Sequence, residues 1–174
     1  MNNQIVTLDG KFWDKDTILK QMENDEFYYD YLGKNALSSS SVKLLNKSPK
    51  AYDNSLKFGN KRTGAMTLGW LLHLAVFEME KFGNLNFVDA STKNTKIYKE
   101  AFSENPMTFL QKEYEDTMQL ADAIYSNNDA VQLIEGLEYE QPAIGNIMNI
   151  PFRAKADALS RGKMIVDLKT TSGL

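Results

Sequence analysis

A mixed α/β domain, helical first and stranded last, is the fold class this sequence predicts. Three observations carry it. Apolar residues recur at helical spacing through residues 36–135, the hydrophobic period drops to two after Gly136, and Ser160-Arg161-Gly162 reads as a turn between the last two strand-like runs. The 174 residues, 43% of them hydrophobic, suffice for one domain with a real core. Residues 1–35 form an N-terminal extension, polar except for an aromatic knot at Phe27, Tyr28, Tyr29 and Tyr31 that should pack on the domain. Next, Ser38 to Ser41 cap a short helix that must stop before Pro49. Residues 64–81 are apolar nearly all round, which marks a buried helix. A polar connection follows at 84–94. Over 107–126, Phe109, Leu110, Tyr114, Met118, Ala121 and Tyr125 lie at the spacing of an amphipathic helix, and a short helix at 129–134 closes the helical part. The stranded part, 136–171, is an antiparallel meander of three strands: one starting at Glu138, one over 150–159 and one over 163–169.

Composition excludes several chemistries. With no cysteine, disulfide scaffolds, thiol catalysis, cysteine-ligated zinc and iron–sulfur clusters are ruled out, and a single histidine rules out multi-histidine metal sites. The start lacks the basic and apolar regions of a signal peptide, and the longest apolar run, 68–77, is broken by His73 and too short to span a bilayer. A cytoplasmic protein without membrane contact is therefore expected. The net charge of −3 hides a split: Lys43, Lys47, Lys50, Lys57, Lys61 and Arg62 face Asp53 alone. Such a stretch reads either as a solvated lysine face or as a surface for a polyanion.

The chemistry concentrates in the last hairpin. Side chains alternate across a strand, so Met164, Val166 and Leu168 share an apolar face while Ile165, Asp167 and Lys169 share the other. On the preceding strand Phe152, Ala154, Ala156 and Ala158 oppose Arg153, Lys155 and Asp157. A turn centred on Gly162 places Asp157 across from Asp167, with Cβ atoms about 5 Å apart. Two such carboxylates repel unless a cation lies between them, and Mg²⁺ with its oxygen ligands suits that place. Lys169 on the same face completes a set able to hydrolyse a phosphodiester.

Asp157 followed ten residues on by Asp167-Leu168-Lys169 resembles the signature of the PD-(D/E)XK nucleases. ALSSSSVKLLNKSP resembles the serine-rich opening of their exonuclease VIII (RecE-type) and phage-recombination branch, and GAMTLGWLLHLAVFE is similar to its G-x-x-x-H helix. KEYEDTMQLADAIYSNNDAVQLIEGLEYEQP resembles the helical spacer before a further acid. The resemblance covers roughly residues 36–171 and implies a restriction-endonuclease-like core, with the helical half packed on the meander. It implies Asp157, Asp167, the Leu168 carbonyl, Glu140 (or Glu138 on the same face) and His73 around Mg²⁺, with Mn²⁺ a substitute, and Lys169 at the attacking water. Ser39, Ser40, Lys43, Lys47, Arg153 and Lys155 would hold the DNA backbone. Tyr28, Tyr29 and Trp70 read more readily as packing than as base-stacking residues. The implied activity is an exonuclease on double-stranded DNA ends, acting as a homo-oligomer and feeding a single-strand-annealing recombinase. The chain ends five residues past Lys169, before the helix and strand that follow in that branch, which implies a core truncated there. Two alternatives stay open: a catalytically incomplete scaffold that binds DNA or a nuclease partner, and a structure-specific endonuclease.

Overall fold

A computed structural model describes residues 4–59 and 62–171. Lys61 of the basic stretch lies outside the described residues. The chain divides into two compact units, Met1–Lys61 with Glu140–Ala156 and Arg62–Tyr139 with Asp157–Leu174. The division falls within strands β5 (Glu138–Ile147) and β6 (Ile150–Ser160), which form one sheet with β7 (Met164–Val166) in the order β5-β6-β7.

In the first unit β1 (Gln4–Val6) pairs antiparallel with β2 (Phe12–Asp14), Ile5 opposite Trp13. Asp14 then caps α1 (Lys15–Gln21) by accepting the N–H groups of Asp16 and Thr17, both at 3.1 Å. A π-helical turn at Phe27–Tyr31, then α2 (Leu32–Asn35), α3 (Ser39–Lys47) and α4 (Pro49–Phe58) follow. Ser38 and Ser41 cap α3 reciprocally, and Ser48 starts α4 with Pro49 in its first turn, where a missing N–H costs nothing. Ile5, Ile18, Met22, Tyr28 and Leu32 bury against Ile144, so the aromatic N-terminal segment supplies most of this core. Leu37 extends the sheet by one residue: its N–H donates to the Pro151 carbonyl and its carbonyl accepts from Arg153 N–H.

The second unit is built on α5 (Gly64–Phe77), whose Leu71, Leu72, Leu74, Ala75, Val76 and Phe77 are all buried. They pack with Phe82, Phe109, Ala121, Ile134 and Ala158. The helix predicted over 64–81 breaks at Glu78 (φ −137°, ψ 53°) and restarts as α6 (Met79–Gly83). The polar connection contains β3 (Asn86–Val88), and α7 (Lys96–Glu104) leads to β4 (Thr108–Leu110), which pairs parallel with β3. Phe109 and Leu110 therefore belong to a strand and not to the helix that follows, α8 (Gln111–Tyr125). Two apolar residues before an amphipathic run fit either state, and Phe87, opposite Phe109, decides it. The short helix α9 (Asn128–Ile134) closes the helical part. No described helix is long and apolar enough to cross a membrane.

The expected turn is present: Gly162 has φ +73°, a left-handed conformation that glycine adopts without penalty. Its register, Ala158↔Val166 and Ser160↔Met164, is the one centred on Gly162. The alternation also holds on β7, where Met164 and Val166 are half-buried and Ile165 is 74% exposed. The third strand stops at Val166, three residues short of its predicted end, for a reason found in the site.

Candidate active site

In the second unit three groups close a ring. His73 sits in the last half of α5, held between buried neighbours, and its Nε2 lies 2.9 Å from the Leu168 carbonyl oxygen. The Leu168 N–H donates to Asp157 Oδ2 at 2.7 Å, and the same oxygen stands 3.6 Å from His73 Nδ1. A carbonyl has no proton to give, so Nε2 carries the hydrogen and donates it. In the neutral ring Nδ1 then carries a lone pair 3.6 Å from a carboxylate oxygen. Two electron pairs so placed are satisfied by a proton or by a cation.

This ring explains the short third strand. A ladder continued past Val166 would set Asp167 opposite Asp157, but the Asp157 carboxylate takes the Leu168 N–H itself. Asp167 turns instead to Lys169, whose Nζ donates to its Oδ1 at 2.6 Å, with both side chains more than half exposed. The ladder ends before it reaches the two carboxylates: Asp157 is a half-buried acid with a backbone partner, and Asp167 an exposed acid with an ammonium partner.

A glycine completes the arrangement, and it was missed by reasoning on charges. Gly69 precedes His73 by one helical turn, on the same face of α5. A Cβ on Gly69 would lie 3.0 Å from Thr170 Oγ1. The glycine lets the segment carrying Leu168, Lys169 and Thr170 come close to the helix, so that the imidazole reaches the Leu168 carbonyl. The G-x-x-x-H spacing was the available signal.

Glu138 is engaged by Arg161, which donates from Nε and Nη2 at 3.0–3.2 Å. Glu140, in the first unit, is half-buried and lies 3.8 Å from Lys155 Nζ. Its backbone has φ +49° inside a strand, a left-handed conformation unusual for a residue with a side chain and common where a working site imposes strain.

The residues expected to meet DNA divide within the first unit. A cavity of about 480 Å³ is lined by Ser38, Ser40, Ser41, Lys34, Lys57 and Arg153, among others. Lys34 carries no signal in the sequence, and Lys57 belongs to the basic stretch. Lys57 is paired with Asp53 at 2.7 Å. Arg153 lies over the Tyr28 ring at 4.5 Å, and its buried Nε has no hydrogen-bond partner among the described residues. Ser39, Lys43 and Lys47 are exposed on α3. Lys155, by contrast, has a side chain only 10% exposed. Its ammonium is 3.1 Å from Asp25 and 4.8 Å from the Tyr28 ring. Tyr28 is buried, and burial, opposed by the Arg153 guanidinium, pushes its hydroxyl above the ordinary tyrosine range. Trp70 packs against the core of the second unit beside Phe109, with the Arg62 guanidinium 4.5 Å from its ring, whereas Tyr29 is 55% exposed.

A carboxylate beside an imidazole nitrogen is a donor pair that suits a divalent cation, and the nitrogen suits Mn²⁺ at least as well as Mg²⁺. A mixed α/β fold with an acidic D-x-K hairpin beside a half-buried helical histidine defines the nuclease-type class of the PD-(D/E)XK fold. The chain belongs to the family described as PDDEXK-like domain of unknown function (DUF3799), which matches residues 38–174. No curated protein and no solved structure matches the chain.

Proposed function

We propose that this chain is a Mg²⁺-dependent deoxyribonuclease that processes double-stranded DNA ends, an exonuclease of the phage-recombination type. The observation that supports it best is the ring of His73, Asp157 and Leu168 in a chain of PDDEXK-like family. Asp157 and His73 Nδ1 would hold the cation, with Asp167, Glu140 and the Leu168 carbonyl joining them by the family pattern alone. Bound there, a divalent cation supplies polarisation of a phosphoryl oxygen and activation of water. The chain's own residues do the rest. His73 fixes the Leu168 peptide, and through it the direction of Lys169. Lys169, exposed and held by Asp167, orients the attacking water and offsets the charge that grows on the phosphate. In the first unit Ser39, Ser40, Lys43 and Lys47 offer hydroxyls and ammonium groups to the DNA backbone, and the Arg153 guanidinium lines the cavity that a phosphate would enter. Lys155 is already answered by carboxylates and serves the fold first. Assembly into a homo-oligomer and delivery of the product strand to a single-strand-annealing recombinase, in the cytoplasm, belong to the same proposal.

The test is digestion of end-labelled linear duplex with Mg²⁺ or Mn²⁺, with covalently closed circular duplex alongside. Loss of the linear DNA with the circle intact is the expected result. Cutting of the circle would replace the exonuclease by an endonuclease, and failure to cut either with a folded protein would leave a DNA-binding scaffold. Lys43→Ala with Lys47→Ala should reduce the slope of log affinity against log salt by about 2, as two phosphate contacts are removed.

A further inference from the structure

We propose that the pocket where α7 meets β4 in the second unit is a docking site for an acidic peptide segment that inserts one large apolar side chain. The pocket, about 570 Å³, shares no lining residue with the candidate active site and does not rest on the catalytic reading. Phe102, Pro106, Met107 and Phe109 make its walls, and Arg62, Lys93 and Lys99 its rim, with no acidic residue in the lining. Phe102 is 45% and Met107 44% exposed, so apolar surface faces solvent here. Lys93 is answered by Glu113 at 2.7 Å, whereas neither Arg62 nor Lys99 has an acidic partner among the described residues.

The polar groups of the pocket decide between occupants. Thr67 donates its hydroxyl to the Thr63 carbonyl, Thr108 to the Ala101 and Asn105 carbonyls, and Tyr98 to the Thr108 carbonyl at 2.8 Å. The floor therefore offers no free hydroxyl proton to a ligand. A nucleobase sunk into it would bury its C=O groups without donors from that floor, which is unfavourable. An aliphatic or phenyl side chain loses nothing there, and carboxylates beside it meet Arg62 and Lys99. An acidic, apolar-tipped peptide matches both features, whereas a nucleic acid strand matches only the rim. The walls are also preformed: Tyr98 and Phe102 stack at 5.9 Å, and the Tyr98 hydroxyl ties α7 to β4.

The test is fluorescence anisotropy of a fluorescein-labelled peptide, Glu-Asp-Asp-Asp-Leu-Phe, against the whole chain, with a labelled oligothymidylate as the competing probe. Binding should weaken about tenfold in Lys99→Glu and in Phe102→Ser, and by a similar factor when the peptide's phenylalanine becomes serine. Added salt should weaken it further. If Phe102→Ser melts early, Arg62→Glu takes its place, because Arg62 is exposed. No peptide binding up to millimolar concentration, or binding unchanged in Lys99→Glu and Arg62→Glu, overturns the proposal. Oligothymidylate binding that is lost in those variants and not displaced by the peptide overturns it as well, in favour of nucleic acid.

Discussion

Each unit withdraws a charge from water, and each answers it differently. In the first unit Lys155 is nearly covered, and its ammonium is met by Asp25, Glu140 and the Tyr28 ring. In the second unit Asp157, whose side chain is 13% exposed, is met by a backbone N–H and the edge of an imidazole. No lysine or arginine pairs with Asp157 among the described residues. A closed network of opposite charges is finished as it stands and stabilises the fold. A carboxylate held by a backbone N–H, with no ammonium or guanidinium beside it among the described residues, keeps its negative charge available to a cation. The difference teaches which polar cluster is scaffold and which is able to work.

The sharpest way to break this comparison is Asp157→Asn. The amide oxygen can still accept the Leu168 N–H, so stability should change by less than about 1 kcal/mol while hydrolysis falls by roughly a thousandfold. Asp157→Ala should lose the same activity and, in addition, about 1–3 kcal/mol of stability as the Leu168 N–H loses its acceptor. Equal melting of the two variants would show that the carboxylate does not hold the Leu168 peptide. Gly69→Ala comes next. The added methyl meets Thr170 Oγ1 at 3.0 Å, so activity should drop about tenfold through displacement of Lys169. The double variant Gly69→Ala with Thr170→Ala should recover it. Failure of that rescue would separate the glycine from the site.

On the other side of the comparison, Lys155→Gln should lower stability by about 2 kcal/mol, because two carboxylates lose a nearly buried cation. Its salt dependence of DNA binding should stay unchanged, measured by chemical denaturation and titration on the same sample. The smallest effect concerns Tyr28. Burial raises its folded pKa above the unfolded value of 10.0, so its stabilising contribution is fully present below pH 10. As pH climbs beyond that, the unfolded chain sheds the proton that the folded chain keeps, and stability falls until folded Tyr28 ionises. Tyr28→Phe should flatten this alkaline decline in the denaturation midpoint, and an unaltered slope would assign the decline to other tyrosines.

Local rules carried far in this chain. Ser38, Pro49 and Gly162 announce a helix start, a helix stop and a hairpin turn from their own chemistry, because caps and turns need only neighbours a few residues away. The apolar face of Met164 and Val166 follows from strand parity alone. Other features depended on remote partners. Phe109 and Leu110 could begin a helix or make a strand until Phe87 stood opposite. Arg153 and Lys155 share a strand face with Asp157, and parity offered no way to see that Tyr28, Asp25 and Glu140 would cover them.

The order of helices and strands, the hairpin register and the presence of an acid, a lysine and a helical histidine are written in the residues themselves, since each is set by short-range backbone and side-chain preferences. Which acid receives a proton donor and which receives an ammonium was decided in three dimensions. His73 and Leu168 lie 95 positions apart. Only packing, with Gly69 leaving room for Thr170, brings that carbonyl to the imidazole and the Leu168 N–H to Asp157.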